Sequence, residues 1–225
     1  MEIRETPWWK RGFDLLLSGT GLLCSSPLWL IAAVAIKLED GGPVFYAQER
    51  VGLGGRVFKV YKFRSMIPDA ESKTGPVQAT ENDPRITRVG RVLRATAMDE
   101  LPQLWSIFKG DMSFVGPRAL RPEETEVDPK SRYTRIEEFP NYGIRVSVTP
   151  GLTGLAQVFA PRDATRRNKF RYDALYVKRR SFGLDLQLVA VSFAITFSGR
   201  WEDRDRILLL RRWRRRLKAT LKGRG

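Results

Sequence analysis

The sequence predicts an α+β fold attached to a membrane through its N-terminal segment. Three observations predict it: an apolar run over residues 13–36, a following stretch that mixes short β-rich and helix-like runs, and a large excess of positive charge. At 225 residues with 42% hydrophobic content, one buried core fits beside the membrane segment, and a second enzyme domain does not.

The apolar run, FDLLLSGTGLLCSSPLWLIAAVAI, holds a single acid, Asp14, and is flanked by Trp8-Trp9-Lys10-Arg11 and Lys37, the aromatic and basic anchors of a membrane interface. About 24 residues rising roughly 1.5 Å each reach about 36 Å, enough to cross a hydrocarbon core of about 30 Å. Against a straight crossing stands Ser25-Ser26-Pro27. Proline removes a backbone donor, and serine hydroxyls can take up the carbonyl it frees. Two readings stay open: a kinked single span, or a helix that bends at Ser26-Pro27, dips in and returns. No small-residue cleavage site follows, which argues against a removed signal peptide.

Residues 41–182 read as a mixed body. VFYAQ and VFKVYKF are strand-like, and helix is expected after Asp99 and over about 166–178. Residues 184–198, LDLQLVAVSFAITFS, are apolar but short, suited to the core or to the membrane interface. From Asp205 to Lys222, Ile207, Leu210, Trp213, Leu217 and Leu221 recur at helical spacing among cations, predicting a basic amphipathic helix. The organisation is thus a membrane-attached segment over 1–40, a mixed α+β domain over 41–200 and a basic tail over 201–225.

The net charge of +15 calls for an anionic partner such as lipid headgroups or nucleotide phosphates. Nucleic acid is not an expected partner, because no zinc, RRM-like or helix-turn-helix signature accompanies the charge. There is no histidine and one cysteine, Cys24, which excludes imidazole catalysis, thiolate metal clusters and an internal disulfide. GxxxxGK[ST] and a helix-opening GxGxxG are also absent, which disfavours nucleotide-dependent kinases and dehydrogenases.

Chemistry then rests on carboxylates, cations and an oxygen-liganded metal. The densest signal is ENDPRITRVGRVLRATAMDELPQLWSIFKGDMSFVGPRALRP, where Asp99-Glu100 follow four arginines. Thr96 with Asp99 fits a capping pattern, and Pro102 suits a first helical turn, so the acidic pair should sit at a helix N-terminus. Adjacent helical residues point about 100° apart, so two separate roles fit better than a shared proton. One carboxylate can attack phosphorus and the other can hold Mg²⁺. Arg64, Arg94 and Arg118 are candidates for neutralising phosphate charge.

These residues resemble the bacterial sugar transferases, the monotopic phosphoglycosyl transferases. The resemblance runs from about Trp9 to Gly199 through Ser26-Pro27, GPVFYAQERVGLGGRVFKVYKFRSM, the NDPRITRVG to SFVGPR stretch, TPGLTGLAQV and YDALYVKRRSFGLDL. It implies a monotopic α+β domain with a re-entrant hairpin broken at Ser26-Pro27, amphipathic interfacial helices, and a place on the cytoplasmic face of the bacterial inner membrane. It further implies Asp99 as nucleophile, Glu100 as Mg²⁺ ligand, and Arg94 as a phosphate contact. Lys62, Arg64, Pro117, Arg118 and Asp173 fall at substrate-binding positions. The expected reaction moves a sugar 1-phosphate from a UDP-sugar to undecaprenyl phosphate through an aspartyl intermediate, releasing UMP to start glycan assembly. The expected partners are the UDP-sugar, undecaprenyl phosphate and the phospholipid bilayer, with a homodimer open. The chain departs from the family at Ala119, where proline is usual, and at Arg179, where a neutral amide is usual. It looks like a short form without the multi-helix N-terminal portion of larger members. A non-catalytic membrane scaffold is the rival reading, but it leaves the ordered motifs without a reason.

Overall fold

The computed structural model describes residues 3–70, 83–122, 124–127, 133–161 and 164–198. The basic tail expected over 205–222 lies outside the described residues. The chain opens with helix α1, Trp8–Asp40, 33 residues long. There follow the antiparallel hairpin β1 (Phe45–Val51) and β2 (Val57–Phe63), then α2 (Arg88–Ala95) and α3 (Gln103–Lys109). Strand β3 (Ser113–Val115) pairs in parallel with β6 (Gly151–Thr153), and the small β4 (Thr125–Val127) and β5 (Tyr133–Arg135) pair antiparallel. Short helices α4 (Tyr142–Val146) and α5 (Leu155–Phe159) lead to α6 (Arg166–Arg179) and α7 (Phe182–Ser198). The mixed α+β expectation holds, with both strand-like runs forming the first hairpin.

Helix α1 has an inverted polarity. Its inward row is Lys10, Asp14, Ser18, Ser25, Ala32 and Ile36, four of them polar. Its outward face carries Leu16, Leu23, Leu30, Ile31 and Leu38, each 64–81% exposed. In water that arrangement discards most of the available burial energy, whereas in hydrocarbon it places apolar groups in an apolar solvent. By length and composition the helix can cross a membrane.

The helix runs through Pro27 because its neighbour repairs the ladder. Proline cannot donate to the carbonyl four residues earlier, that of Leu23, and the Ser26 hydroxyl donates to this same carbonyl at 2.8 Å. Ser25 accepts from the Trp29 indole at 3.0 Å. A left-handed Gly41 closes the helix, its amide bonded to the Lys37 carbonyl.

Both ends of α1 are tied to the body. At its start, Lys10 reaches Asp185 of α7 at 2.5 Å and the Val115 carbonyl at 2.9 Å. The Asp14 carboxylate accepts from the Phe114 amide at 2.9 Å and from the Ser113 hydroxyl at 3.0 Å, so the lone acid of the apolar run holds β3. At its end, Asp40 pairs with the buried Arg64, and Glu39 accepts from the first amides of α2 at 2.7 and 3.1 Å.

The main core gathers Ile107 of α3, Phe114 and Val115 of β3, Val158 and Phe159 of α5, Tyr176 and Val177 of α6, and Leu188 and Ile195 of α7. Each fully buried aliphatic side chain there contributes about 1.5–3 kcal/mol. Residues 184–198 meet the core expectation, with Leu188, Val189 and Ile195 buried, while Leu186 and Phe193 of the same helix, and Phe182 at its start, are about half exposed. Helix α3 likewise exposes the stacked pair Trp105 and Phe108.

Asp185 is fully enclosed, accepting from Lys10 and from the Tyr176 hydroxyl at 2.9 Å. Removing one partner leaves a buried charge alone, which costs about 3–5 kcal/mol. Lys10→Met and Asp185→Leu should each lower the thermal midpoint by about 6–20 °C, at about 2–4 °C per kcal/mol for a chain this size. The double substitution should lose less than the sum of the two, which thermal unfolding of the four proteins measures.

Candidate active site

The acidic pair is displayed by a change of hand in the backbone. Helix α2 ends at Thr96, whose hydroxyl bonds back to the Val92 carbonyl at 2.8 Å. Thr96 therefore closes α2, and the capping pattern read between it and Asp99 does not form. Ala97 follows in the left-handed region, φ 55°, a conformation costing a non-glycine residue on the order of 1–3 kcal/mol. That turn carries the chain into a 3₁₀ turn, Met98–Glu100, and Pro102 then opens α3. The pair does precede a helix start, as expected.

The two carboxylates occupy different settings. Glu100 receives the Lys62 ammonium at 2.5 Å. Burial alone would raise its pKa, but Lys62 and Arg118, with hydrogen bonds from Lys62 and Gln103, outweigh burial and hold it down to about 2. Asp99 forms no ion pair among the described residues. Burial pushes its carboxyl up to about 6, with Glu100 adding to the rise and Lys62 and Arg94 opposing it. One neighbour is thus a fixed anion. The other is a carboxylate with a raised affinity for a positive centre.

Beside the pair lies a recess lined by Arg50, Val60, Lys62, Glu100, Gln103, Met112, Arg118 and the Gly151-Leu152 backbone. Arg50 pairs across the hairpin with Phe58, and Gln48 with Val60, so alternate residues of both strands share the face that carries Lys62. The opposite wall is built by glycines. A Cβ on Gly151 would collide with the Gly116 amide, and one on Gly116 would strike the Thr149 carbonyl. Only without side chains can the VGPR and TPGLTG segments close to the distance at which the Gly151 amide donates to the Pro117 carbonyl at 2.9 Å.

The sequence-predicted residues separate into groups. Lys62, Glu100 and Arg118 come together in the recess, and Asp99, next to Glu100 in the chain, lies within electrostatic reach of Lys62 and Arg94. Pro117 is buried and shapes the Arg118 loop through its carbonyl. Arg64 is not in the recess: its guanidinium grips Asp40 at the end of α1, with a further bond to the Pro43 carbonyl at 2.6 Å. Asp173 is likewise outside the recess, buried on α6. Its carboxylate pairs with Arg145 at 3.2 Å, and Arg145 donates to the Arg118 carbonyl at 2.5 Å while lying on the Phe170 ring. Asp173 thus supports the loop through Arg145. Ser26 and Pro27 lie in α1, away from the recess.

Sequence reasoning missed Arg50, Gln103 and Arg145. Arg50 stands at even spacing from Gln48 within a strand-like run, a signal that would have placed it with Lys62 once the hairpin register was fixed. Burial, then the like charges of Arg118 and Arg121, pull its guanidinium down to about 10.

An acidic turn beside a cation-lined recess, on an α+β body joined to a helix long and apolar enough to cross a membrane, fits a domain that handles an anionic substrate. The chain belongs to the bacterial sugar transferase family, whose pattern it matches over residues 5–199. It is 43% identical over 194 residues to a UDP-N-acetylgalactosamine-undecaprenyl-phosphate N-acetylgalactosaminephosphotransferase of Aeromonas hydrophila, covering 84% of this chain and 44% of that protein. It is 38% identical over 195 residues to a UDP-glucose:undecaprenyl-phosphate glucose-1-phosphate transferase of Klebsiella pneumoniae, covering 84% and 40%. With the exopolysaccharide production protein PSS of Rhizobium leguminosarum bv. phaseoli it shares 40% identity over 186 residues, 80% of this chain and 90% of that one. The chain spans less than half the length of the first two relatives.

The raised Asp99 carboxyl has a stability consequence. Its folded value of about 6 exceeds the ordinary 3.8, so the native state binds the proton more tightly. Its contribution to stability is fully present below pH 3.8 and is lost as pH rises through 6. Asp99→Asn should therefore raise the thermal midpoint at pH 7.5, and the gain should shrink toward pH 4; melts across that range in a metal chelator test this.

Proposed function

We propose that this chain transfers a sugar 1-phosphate from a UDP-sugar to undecaprenyl phosphate through a covalent intermediate on Asp99, with UMP as the leaving group. The observation that carries the proposal is the division between Asp99 and Glu100, adjacent in sequence yet held at about 6 and about 2 beside a cation-lined recess. The relatives are named for undecaprenyl-phosphate sugar phosphotransfer, which supports the same reaction class.

At neutral pH Asp99 is mostly ionised and more basic than an ordinary carboxylate, which suits attack on phosphorus. A carboxylate oxygen of Asp99 forms a bond to the phosphorus that bears the sugar. The bond from that phosphorus to the bridging oxygen breaks, and UMP departs with the electron pair. Lys62, Arg94 and Arg118 offset the phosphate charge on approach. The lipid phosphate then attacks the same phosphorus and restores Asp99. One phosphoanhydride replaces another.

Mg²⁺ fits the donor set as an ion shared with substrate. Among the described residues there is no cluster of three carboxylate, histidine or cysteine groups to enclose a metal. Mg²⁺ usually keeps water and phosphate oxygens and needs only one or two carboxylates, and Glu100, ionised and next to Asp99, is the one we assign. When bound it would draw charge from the departing phosphate.

We further propose that the chain is monotopic on the cytoplasmic face of the bacterial inner membrane, with α1 re-entrant at Ser26-Pro27. A helix crossing the bilayer would part its ends by the full membrane thickness, yet Lys10 and Asp40 both bond to one polar body. The exposed Trp105, Phe108, Phe182, Leu186 and Phe193 would supply interfacial contacts.

Asp99→Asn should abolish both UMP release and the phosphosugar adduct, read by intact-protein mass spectrometry after a rapid quench. Glu100→Gln should lower turnover and raise the Mg²⁺ requirement. Wild-type adduct formation should rise with pH through about 6. Near wild-type turnover by Asp99→Asn would make direct attack by the lipid phosphate the better mechanism. For topology, cysteines placed at residues 4 and 42 should label from the same side of sealed vesicles; labelling from opposite sides would establish a full span.

A further inference from the structure

Arg50 is a half-buried cation of β1. It lines the recess with Lys62, Glu100 and Arg118, and it forms no ion pair among the described residues. Its Nη1 donates to the Ala119 carbonyl at 3.0 Å, and its Nη2 donates to the Gln48 side chain. The nearest available acids are spoken for: Glu100 is held by Lys62, and Glu124 binds Arg166 at 2.8 Å. Arg118 and Arg121 add like charge nearby. A half-buried guanidinium among other cations is unfavourable by itself and becomes favourable when an anion arrives.

Its position suits one part of the substrate. Lys62 and Glu100 stand beside Asp99, where phosphorus is attacked, while Arg50 lies toward the far end of the hairpin face, four residue pairs from Lys62. Its contact with the Ala119 carbonyl, beside Arg118, joins it to the loop on the opposite wall, and the Val51 amide closes the same junction on the Leu120 carbonyl at 2.8 Å. The recess therefore has cations at two stations.

We propose that Arg50 binds the nucleotide's own phosphate, the one that leaves as UMP, acting with Arg118 as a two-guanidinium clamp. This rests on the reaction proposed above. When the bond between the sugar-bearing phosphorus and the bridging oxygen breaks, that oxygen stays with UMP and takes the electron pair. The UMP phosphate gains negative charge at that moment, and no proton or further reactant is required. A fixed guanidinium fork meets that charge without reorganising.

The test is binding of UMP and of uridine to the full chain in lipid nanodiscs, read by calorimetry or competition, for wild type, Arg50→Gln, Arg50→Lys and the exposed control Arg56→Gln. Arg50→Gln should weaken UMP about tenfold or more, the loss of one charge-assisted contact, and leave uridine within about twofold. Arg50→Lys should fall between, because it keeps charge and loses the fork. Arg56→Gln should match wild type. Thermal midpoints of the unliganded proteins check folding, and if Arg50→Gln fails to fold, Arg50→Lys carries the test, with unchanged UMP affinity overturning the proposal. Unchanged UMP binding by Arg50→Gln, or equal losses for UMP and uridine, would overturn the clamp while leaving the transferase reading intact. If wild type bound neither UMP nor UDP-sugars, the transferase reading would fail and the clamp with it.

Discussion

The structure depends on the buried ion pair between Lys10 and Asp185. It joins the first turn of α1 to α7, and the same two groups meet the Val115 carbonyl and the Tyr176 hydroxyl, which also bonds that carbonyl at 3.0 Å. One network thus fastens the apolar helix, β3, α6 and α7. Strand β3 runs directly into Gly116-Pro117-Arg118, so the wall of the recess is registered against the helix that would lie in lipid. Buried charges are tolerated only when paired and fully hydrogen-bonded, and this pair is.

The polarity of α1 follows from the same constraint. A helix that spends its polar side chains on the protein has only apolar ones left for its outer face, and only an apolar solvent makes that favourable. Asp14, isolated in the apolar run, looks misplaced until its partners in β3 are seen. Ser26 similarly compensates for Pro27 by bonding the carbonyl that proline abandons, which matters most where no water can do so.

At the site, charge is graded along the recess. Asp99 has no ion pair among the described residues and burial raises its proton affinity; Glu100 is clasped by Lys62 and stays ionised. Further pairs, the buried Arg64 with the more exposed Asp40 and the fully buried Arg145 with Asp173, hold the backbone around these groups. They are cations and anions of the same types as the working ones, distinguished by lying outside the recess.

By itself the sequence determined the helix with its Ser-Pro repair, the two strands of the first hairpin, helix α6, the acidic turn before a helix, and the family. These are local properties: hydrophobic period, backbone chemistry and ordered short motifs are written within a few residues. What only the tertiary structure decided is which cations are occupied. Arg64, Arg118 and Arg50 are alike as letters, and the difference between a guanidinium locked on Asp40, one on the recess and one inside it without an ion pair among the described residues depends on partners 24 to 69 residues away. Thr96 was misread for the same reason, because its hydroxyl could serve the helix behind or the turn ahead, and the left-handed Ala97 settled it. Pairing over such distances is fixed by packing, which no local pattern encodes.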